Sequence, residues 1–184
     1  FRTAIGAFRG SLKGMQAHDL GALIAAAVMQ KSNLNPNDVD ELIMGQVLTG
    51  ATGQNPARQT AILAKMPVEK TAYVINQVCG SGLRSVAAGY QAIISNDSKV
   101  IIAGGQESMT NAPHAIYFRN GKKLDETNLV DTMIKDGLWD AFNGYHMGVT
   151  AENVAAKWQI TRKDQDDFAL SSQNKAEKAQ KEGK

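Results

Sequence analysis

A chain of 184 residues, 43% of them apolar, is long enough for one domain and part of a second, and rich enough in core formers to exclude disorder as the default state. Its 20 basic and 18 acidic side chains are mixed along the chain and leave a net charge of +2, so no clustered basic footprint calls for a nucleic-acid partner. A single cysteine excludes an internal disulfide framework and suits a reducing compartment.

No apolar run approaches the length of a membrane span, so no membrane partner is expected. The three histidines, His18, His114 and His146, are too scattered for a ligand set, and no metal is expected. No secretory signal is visible, and the first residue is Phe1 rather than Met. A cytoplasmic location is therefore expected, or an organellar matrix if a leader has been removed.

The first 105 residues alternate helix and strand signals. Asp19 is placed to cap a helix through Gln30, an Ala-, Leu- and Ile-rich stretch suited to packing on a sheet. Asn35-Pro36-Asn37-Asp38 breaks it, and Leu42, Ile43 and Val47 mark a strand over 41–48. Asn55 followed by Pro56 is a cap-plus-first-turn signal for a second helix through Lys65. Residues 72–75 read as a strand leading to Cys79, and 80–94 as a helix with a small-residue face of Ser85, Ala87, Ala88, Gly89 and Ala92. The apolar run 99–103 predicts a strand in the middle of a sheet covered on both faces. This order predicts an α/β fold with a partly parallel sheet. Beyond Gly105 the chain is loop-rich to 146, with a helical piece over 131–142. Helices are expected over 150–157 and 162–180, the latter opened by Thr161 and Asp164. The Lys- and Glu-rich end, 175–184, reads as a solvated helical face.

Cys79 is the most informative residue. It ends a β-rich run and is followed by Gly80-Ser81-Gly82, where a helix begins. A thiolate is the reactive form of cysteine, and a helix N-terminus stabilises it through unpaired N–H groups and the positive end of the dipole. Glycines after the sulfur let the backbone turn sharply and a substrate come close. A lone cysteine is also commonly a small buried hydrophobe, and the local pattern leaves both readings standing.

Five stretches carry a family resemblance. They are the opening 2–12 (Arg-Thr-Ala-Ile-Gly-Ala-Phe-Arg-Gly-Ser-Leu), 53–59 (Gly-Gln-Asn-Pro-Ala-Arg-Gln) and Asn76-Gln77-Val78-Cys79-Gly80-Ser81-Gly82. The other two are 103–114 (Ala-Gly-Gly-Gln-Glu-Ser-Met-Thr-Asn-Ala-Pro-His) and 145–155 (Tyr-His-Met-Gly-Val-Thr-Ala-Glu-Asn-Val-Ala). In this order they resemble the thiolase family over essentially the whole chain, and lie closest to its acetyl-CoA acetyltransferase (acetoacetyl-CoA thiolase) branch.

The resemblance implies a thiolase-like layered α-β-α sandwich: the N-terminal half of a duplicated fold over 1–107, then part of a loop domain over 108–184. Cys79 would be the acyl-accepting nucleophile, with its own backbone N–H in an oxyanion hole. Leu138, His146 and Met147 match positions lining the groove for coenzyme A. The implied enzyme is an acyltransferase of lipid metabolism that condenses two acetyl-CoA to acetoacetyl-CoA and CoA, or runs the thiolytic reverse. It needs no cofactor, the coenzyme A thioester being its substrate.

A homodimer or homotetramer is implied for the full length, joined through a loop over 115–133 whose tip, 119–124, has turn character. The family's Asn-Glu-Ala-Phe, Gly-His-Pro and Cys-x-Gly catalytic segments do not occur in this sequence. The isolated chain is therefore expected to turn over little, and its helices 19–30 and 80–94 to expose an apolar face. A ketoacyl synthase of the same fold and a non-catalytic interaction module stand as alternatives. His146 falls to the groove rather than to a base role, His114 to structure or an interface, and His18 to an N-terminal turn. Arg58 is either functional or in a helix-surface ion pair, while Met109 and Met133 are apolar fillers.

Overall fold

The structure is a computed structural model that describes residues 1–119, 121 and 128–183. It divides into two compact units, Phe1–Gly137 and Leu138–Lys184.

The first unit is built on three parallel strands in the order β2-β1-β3, with β1 (Glu41–Gly45) between β2 (Thr71–Ile75) and β3 (Ile101–Gly105). Parallel neighbours need crossovers, and helices supply them. Helix α1 (Ala17–Lys31) precedes β1, α2 (Pro56–Leu63) joins β1 to β2, and α3 (Ser81–Ile94) joins β2 to β3. Strand alternation sorts the side chains. Leu42 and Met44 of β1 join Ala22, Ala25 and Met29 of α1 and Ala57 and Ala61 of α2 in one buried cluster. Gly45 meets the opposite face, against Ser81 and Gly82 of α3. The result is the expected α-β-α layering.

The element boundaries differ from the sequence reading for local reasons. Helix α1 starts at Ala17, and Asp19 is its third residue, reaching back to accept the Gln16 backbone N–H at 2.9 Å. The cap itself is therefore not Asp19. Strand β1 stops at Gly45, because Gln46 turns its side chain inward and the next two backbone N–H groups go to Glu107. Asn55 does cap α2: its Oδ1 accepts the Arg58 backbone N–H at 3.1 Å, and Pro56 follows. Helix α2 ends at Leu63, two residues early, as Lys65 takes a left-handed conformation at φ 66°. Strand β3 is an edge of the three-stranded sheet and β1 its centre. A continuous apolar run reports cover on both faces of a strand, and says nothing of neighbours on its two edges. Among the described residues Arg58 forms no ion pair; its guanidinium donates to the backbone carbonyls of Val68 and Lys70.

Helix α3 turns its small residues to the sheet. Ser81, Ser85 and Gly89 are buried, while Leu83 is 78% exposed and Tyr90 66%, with Val86 and Ile94 beside them. The apolar stripe predicted for this helix is therefore present, and it points away from its own sheet. In the loop region a short antiparallel pair, β4 (His114–Ala115) with β5 (Val130–Asp131), places His114 opposite Asp131, and a six-residue π turn follows at Met133–Leu138. The strand pair was not foreseen, and the π turn is the part of the helical piece expected over 131–142 that forms. Of the proposed loop tip at 119–124, only Arg119 and Gly121 are among the described residues.

In the second unit, α4 (Met147–Trp158) and α5 (Arg162–Lys181) follow a tight turn. Thr161 caps α5 as predicted: its Oγ accepts the Asp164 backbone N–H at 3.1 Å and the Asp164 carboxylate accepts the Thr161 N–H at 2.9 Å. Exposed i,i+4 pairs such as Arg162–Asp166 and Lys181–Glu177 run along α5, the solvated face its composition implies. Among the described residues no helix is long and apolar enough to cross a membrane.

Candidate active site

The carboxyl ends of β1 and β3 and the first turn of α3 enclose a cleft of about 330 Å³, and exposed Cys79 stands in its wall. A crevice at the carboxyl ends of parallel strands is where ligands enter open α/β sheets. Cys79 comes two residues before the first residue of α3, so the N-terminus of that helix begins just beyond the sulfur.

The backbone that presents Cys79 is strained and pinned. Val78 takes φ 48°, a left-handed conformation that a β-branched side chain rarely tolerates. Hydrogen bonds on both sides of it hold it there. Asn76 Oδ1 accepts the Val78 N–H at 2.9 Å, and the Gly80 N–H donates to the Gln77 carbonyl at 3.0 Å. The Ser81 hydroxyl accepts the Gln77 N–H at 2.9 Å and donates to the Val78 carbonyl at 2.6 Å. Strained backbone persists only where its surroundings over-determine it, and such places cluster at functional sites.

The helix reaches this position because α3 sits unusually close to the sheet. A Cβ on Gly45 would lie 2.3 Å from the Ser81 carbonyl carbon and 2.5 Å from the Gly82 nitrogen. Only glycine fits that gap. One turn further, Ser85 donates its hydroxyl toward the Gly104 carbonyl at 2.6 Å, so the small face of α3 is also tied to β3.

The opposite wall of the cleft is Gln46, Val47, Gln106 and Glu107. A buried relay underlies it: the Thr60 hydroxyl donates to Gln106 Oε1 at 2.7 Å, Gln106 Nε2 donates to Gln46 Oε1 at 2.9 Å, and Gln46 Nε2 donates to the Leu48 carbonyl at 2.9 Å. Glu107 accepts the backbone N–H of Val47 at 2.9 Å and of Leu48 at 3.2 Å. Burial pushes its carboxyl above the usual glutamate range, and those two N–H donors pull it part of the way back. None of these polar wall residues was singled out from the sequence. The signal available was Gln106-Glu107 directly after an apolar strand, where a βα loop carries function. A larger cavity of about 370 Å³ lies between α1 and β3, and Cys79 is not among its lining residues.

Leu138, His146 and Met147 all lie in the second unit. Trp139 pairs with His146 across a turn, with the Asp140 N–H donating to the Tyr145 carbonyl at 2.8 Å. Asp140 shapes that turn. Its Oδ1 accepts the backbone N–H groups of Phe142 and Asn143, and its Oδ2 accepts the Asn143 side-chain amide, each at 2.8 Å. These bonds, the Asn143 side chain foremost, hold the Asp140 carboxyl below the usual range. The helix predicted over 131–142 is thus a π turn followed by this hairpin. His146 is the cap of α4: its Nδ1 accepts the Gly148 N–H at 3.0 Å, which starts the helix at Met147 rather than at 150. His18 lies in the first turn of α1, 3.7 Å from Asp19, and His114 is 3.8 Å from Asp131.

The sequence profile of the thiolase N-terminal domain matches residues 1–184. The chain belongs to the thiolase family. Within that family it is 57% identical over 183 residues to an acetyl-CoA acetyltransferase of Paracoccus denitrificans and 58% identical over 183 residues to that of Rhizobium meliloti, in both cases over 100% of this chain and 47% of the relative. Its fold superposes on the Acat5 thiolase of Ascaris suum, solved in complex with coenzyme A, with a TM-score of 0.92 and 36% identity, over 99% of this chain and 47% of that one. This thiolase chain therefore spans about half the length of the relatives it matches.

Proposed function

We propose that this chain supplies the acyl-accepting half of an acetyl-CoA C-acetyltransferase, with Cys79 as the nucleophile. The observation that carries the reading is the strained, pinned elbow that sets Cys79 at the start of α3 in the cleft. The exposed Cys79 thiol gives its proton to solvent, and its sulfur adds to the thioester carbonyl carbon. The carbonyl electron pair moves to oxygen, beside the Cys79 backbone N–H. Collapse forms the S-acetyl cysteine and expels coenzyme A as thiolate, which takes up a proton. A second acetyl-CoA, deprotonated at its α-carbon, then attacks the acetyl-cysteine to give acetoacetyl-CoA and restore the Cys79 thiolate.

That second step needs proton acceptors. His146 spends its Nδ1 on capping α4, and these 184 residues on their own carry acylation rather than turnover. The hairpin bearing Leu138, His146 and Met147 is the expected seat of the coenzyme A pantetheine, a reading supported by the coenzyme A complex of the Ascaris suum neighbour. Assembly of the whole protein as a homodimer or homotetramer belongs to the same reading. The exposed stripe of α3 favours a second one, an interaction module with no chemistry of its own.

Intact-mass spectrometry after incubation with acetyl-CoA separates the two. One acetyl adduct that disappears in Cys79→Ser is the expected result. No adduct, or an adduct that survives Cys79→Ser, would overturn the catalytic reading.

A further inference from the structure

The Ser81 hydroxyl touches both sides of the strained residue before the nucleophile. It accepts the Gln77 N–H at 2.9 Å and donates to the Val78 carbonyl at 2.6 Å, and the Ser81 backbone N–H reaches the same carbonyl at 3.1 Å. Ser81 is only 4% exposed, so water does not compete for these bonds. The Val78 carbonyl and the Cys79 N–H belong to one planar trans peptide and point in opposite directions, so fixing one end fixes the other. Strain at Val78 is relieved most simply by rotating that peptide, and the Ser81 hydroxyl opposes the rotation. A short bond to the carbonyl also polarises the peptide and strengthens its N–H as a donor.

We propose that Ser81 is a positioning residue that holds the Cys79 backbone N–H toward the oxyanion formed when Cys79 is acylated. The proposal rests on the reading of Cys79 as the acyl acceptor. Ser81 acts on the carbonyl end of the Val78–Cys79 peptide, opposite the N–H that it aims.

The fold provides a matched control. Ser85, one turn along α3, is fully buried, and its hydroxyl lies against the carbonyls of Gly82 at 2.7 Å and Gly104 at 2.6 Å. It secures the same helix to the same sheet without contacting the elbow, so its loss reports the structural cost alone.

Two small probes separate aiming from folding. Iodoacetamide alkylates a thiolate by displacement at a saturated carbon and builds no oxyanion. p-Nitrophenyl acetate requires the Cys79 sulfur to add to a carbonyl and expel p-nitrophenolate, so it does build one. The 184-residue chain is treated with each, and modification of Cys79 is followed by peptide mass spectrometry.

Removing an oxyanion donor outright costs 10²–10³ in rate, and misaiming one that remains costs less. Ser81→Ala is therefore expected to slow acetylation about tenfold, while alkylation stays at the wild-type rate. Ser85→Ala is expected to leave the ratio of the two rates unchanged, and Ser81→Thr, which keeps the hydroxyl, to retain it. Should Ser81→Ala lose its far-UV circular dichroism, Ser81→Gly, which removes the hydroxyl together with Cβ, is read in its place. Equal slowing with both probes, or none with either, overturns the role of Ser81 while leaving Cys79 as acyl acceptor. A wild-type chain whose Cys79 the ester never acetylates overturns the Cys79 reading, and this proposal with it.

Discussion

Replacing Gly45 with alanine tests whether the close seat of α3 on the sheet is what places Cys79. The added Cβ would lie 2.3 Å from the Ser81 carbonyl carbon, 2.5 Å from the Gly82 nitrogen and 2.6 Å from the Ser81 carbonyl oxygen. Ordinary contact begins at 3.4 Å, so the first turn of α3 must retreat by about 1 Å. All three atoms are main chain, and no side-chain rotamer can absorb the clash. Overpacking a rigid site costs 1–3 kcal/mol, and a clash with backbone alone belongs at the upper end, about 3 kcal/mol. For a chain of this size that corresponds to a fall of about 6–12 °C in the melting midpoint.

The control is Gly104→Ala. Gly104 pairs with Met44 in the same sheet, and a Cβ there meets nothing within 4 Å. Thermal unfolding of both variants is followed by circular dichroism, alongside the rate of Cys79 alkylation by iodoacetamide. Gly45→Ala should melt well below Gly104→Ala and show an altered alkylation rate, because Cys79 lies at the displaced turn. If the two variants melt together and alkylate alike, the close seat does not govern the elbow.

The remaining expectations concern charge and exposure. Burial raises the Glu107 carboxyl, so the folded chain holds its proton to higher pH than the unfolded one does. The Glu107 contribution to stability therefore falls as pH rises from the ordinary glutamate range through the raised value. Urea midpoints of Glu107→Gln should lack that slope, and an unchanged pH profile would contradict it. Asp40 behaves oppositely. Its carboxylate accepts the Lys99 N–H at 2.8 Å and the Val100 N–H at 3.1 Å, with Lys70 at 3.4 Å, and the Lys99 bond foremost holds it below the usual range. Its contribution is in place above the ordinary aspartate range and is lost as pH falls through the lowered value. Asp40→Asn should thus weaken the fold at neutral pH and be indistinguishable from wild type in strong acid. Leu83 buries little, so Leu83→Ser should change stability by no more than about 0.5 kcal/mol while reducing binding of the dye ANS; a large loss of stability would show that the stripe is covered.

Much of the fold was legible because its signals are local. The Asn55-Pro56 start of α2 and the Thr161–Asp164 cap of α5 each depend on residues three apart, and the structure holds both. The elbow around Cys79 was legible for the same reason. What escaped is long-range. Glu107 meets Val47 across 60 positions and Thr60 meets Gln106 across 46, and no periodicity encodes such pairings. The 41–48 strand was read too long because Val47 and Leu48 continue the apolar pattern, while their N–H groups are claimed by a carboxylate far along the chain. His146 was read from its place in a motif as a groove residue, and its hydrogen bond to Gly148 shows that it also starts a helix. The 131–142 segment misled because Asp140 gathers three donors into a turn, where helical spacing alone suggested one continuous helix.

The register of the sheet has a consequence for the order in which the chain assembles. The centre strand pairs with partners 30 and 60 positions away, Glu41 lying opposite Thr71 on one side and Ile101 on the other. Doubling a loop adds only about 0.6 kcal/mol to its closure, so entropy alone barely separates the two pairings. Synthesis separates them instead. Ribosomes add roughly 5–20 residues per second, and loops of this kind close far faster, so β1, α2 and β2 can meet seconds before β3 exists. Until then one edge of β1 and the elbow segment have no partner in β3. The relay of Thr60, Gln106 and Gln46 closes after the β1–β2 pairing, and the wall opposite the nucleophile is finished only when the chain has passed Glu107.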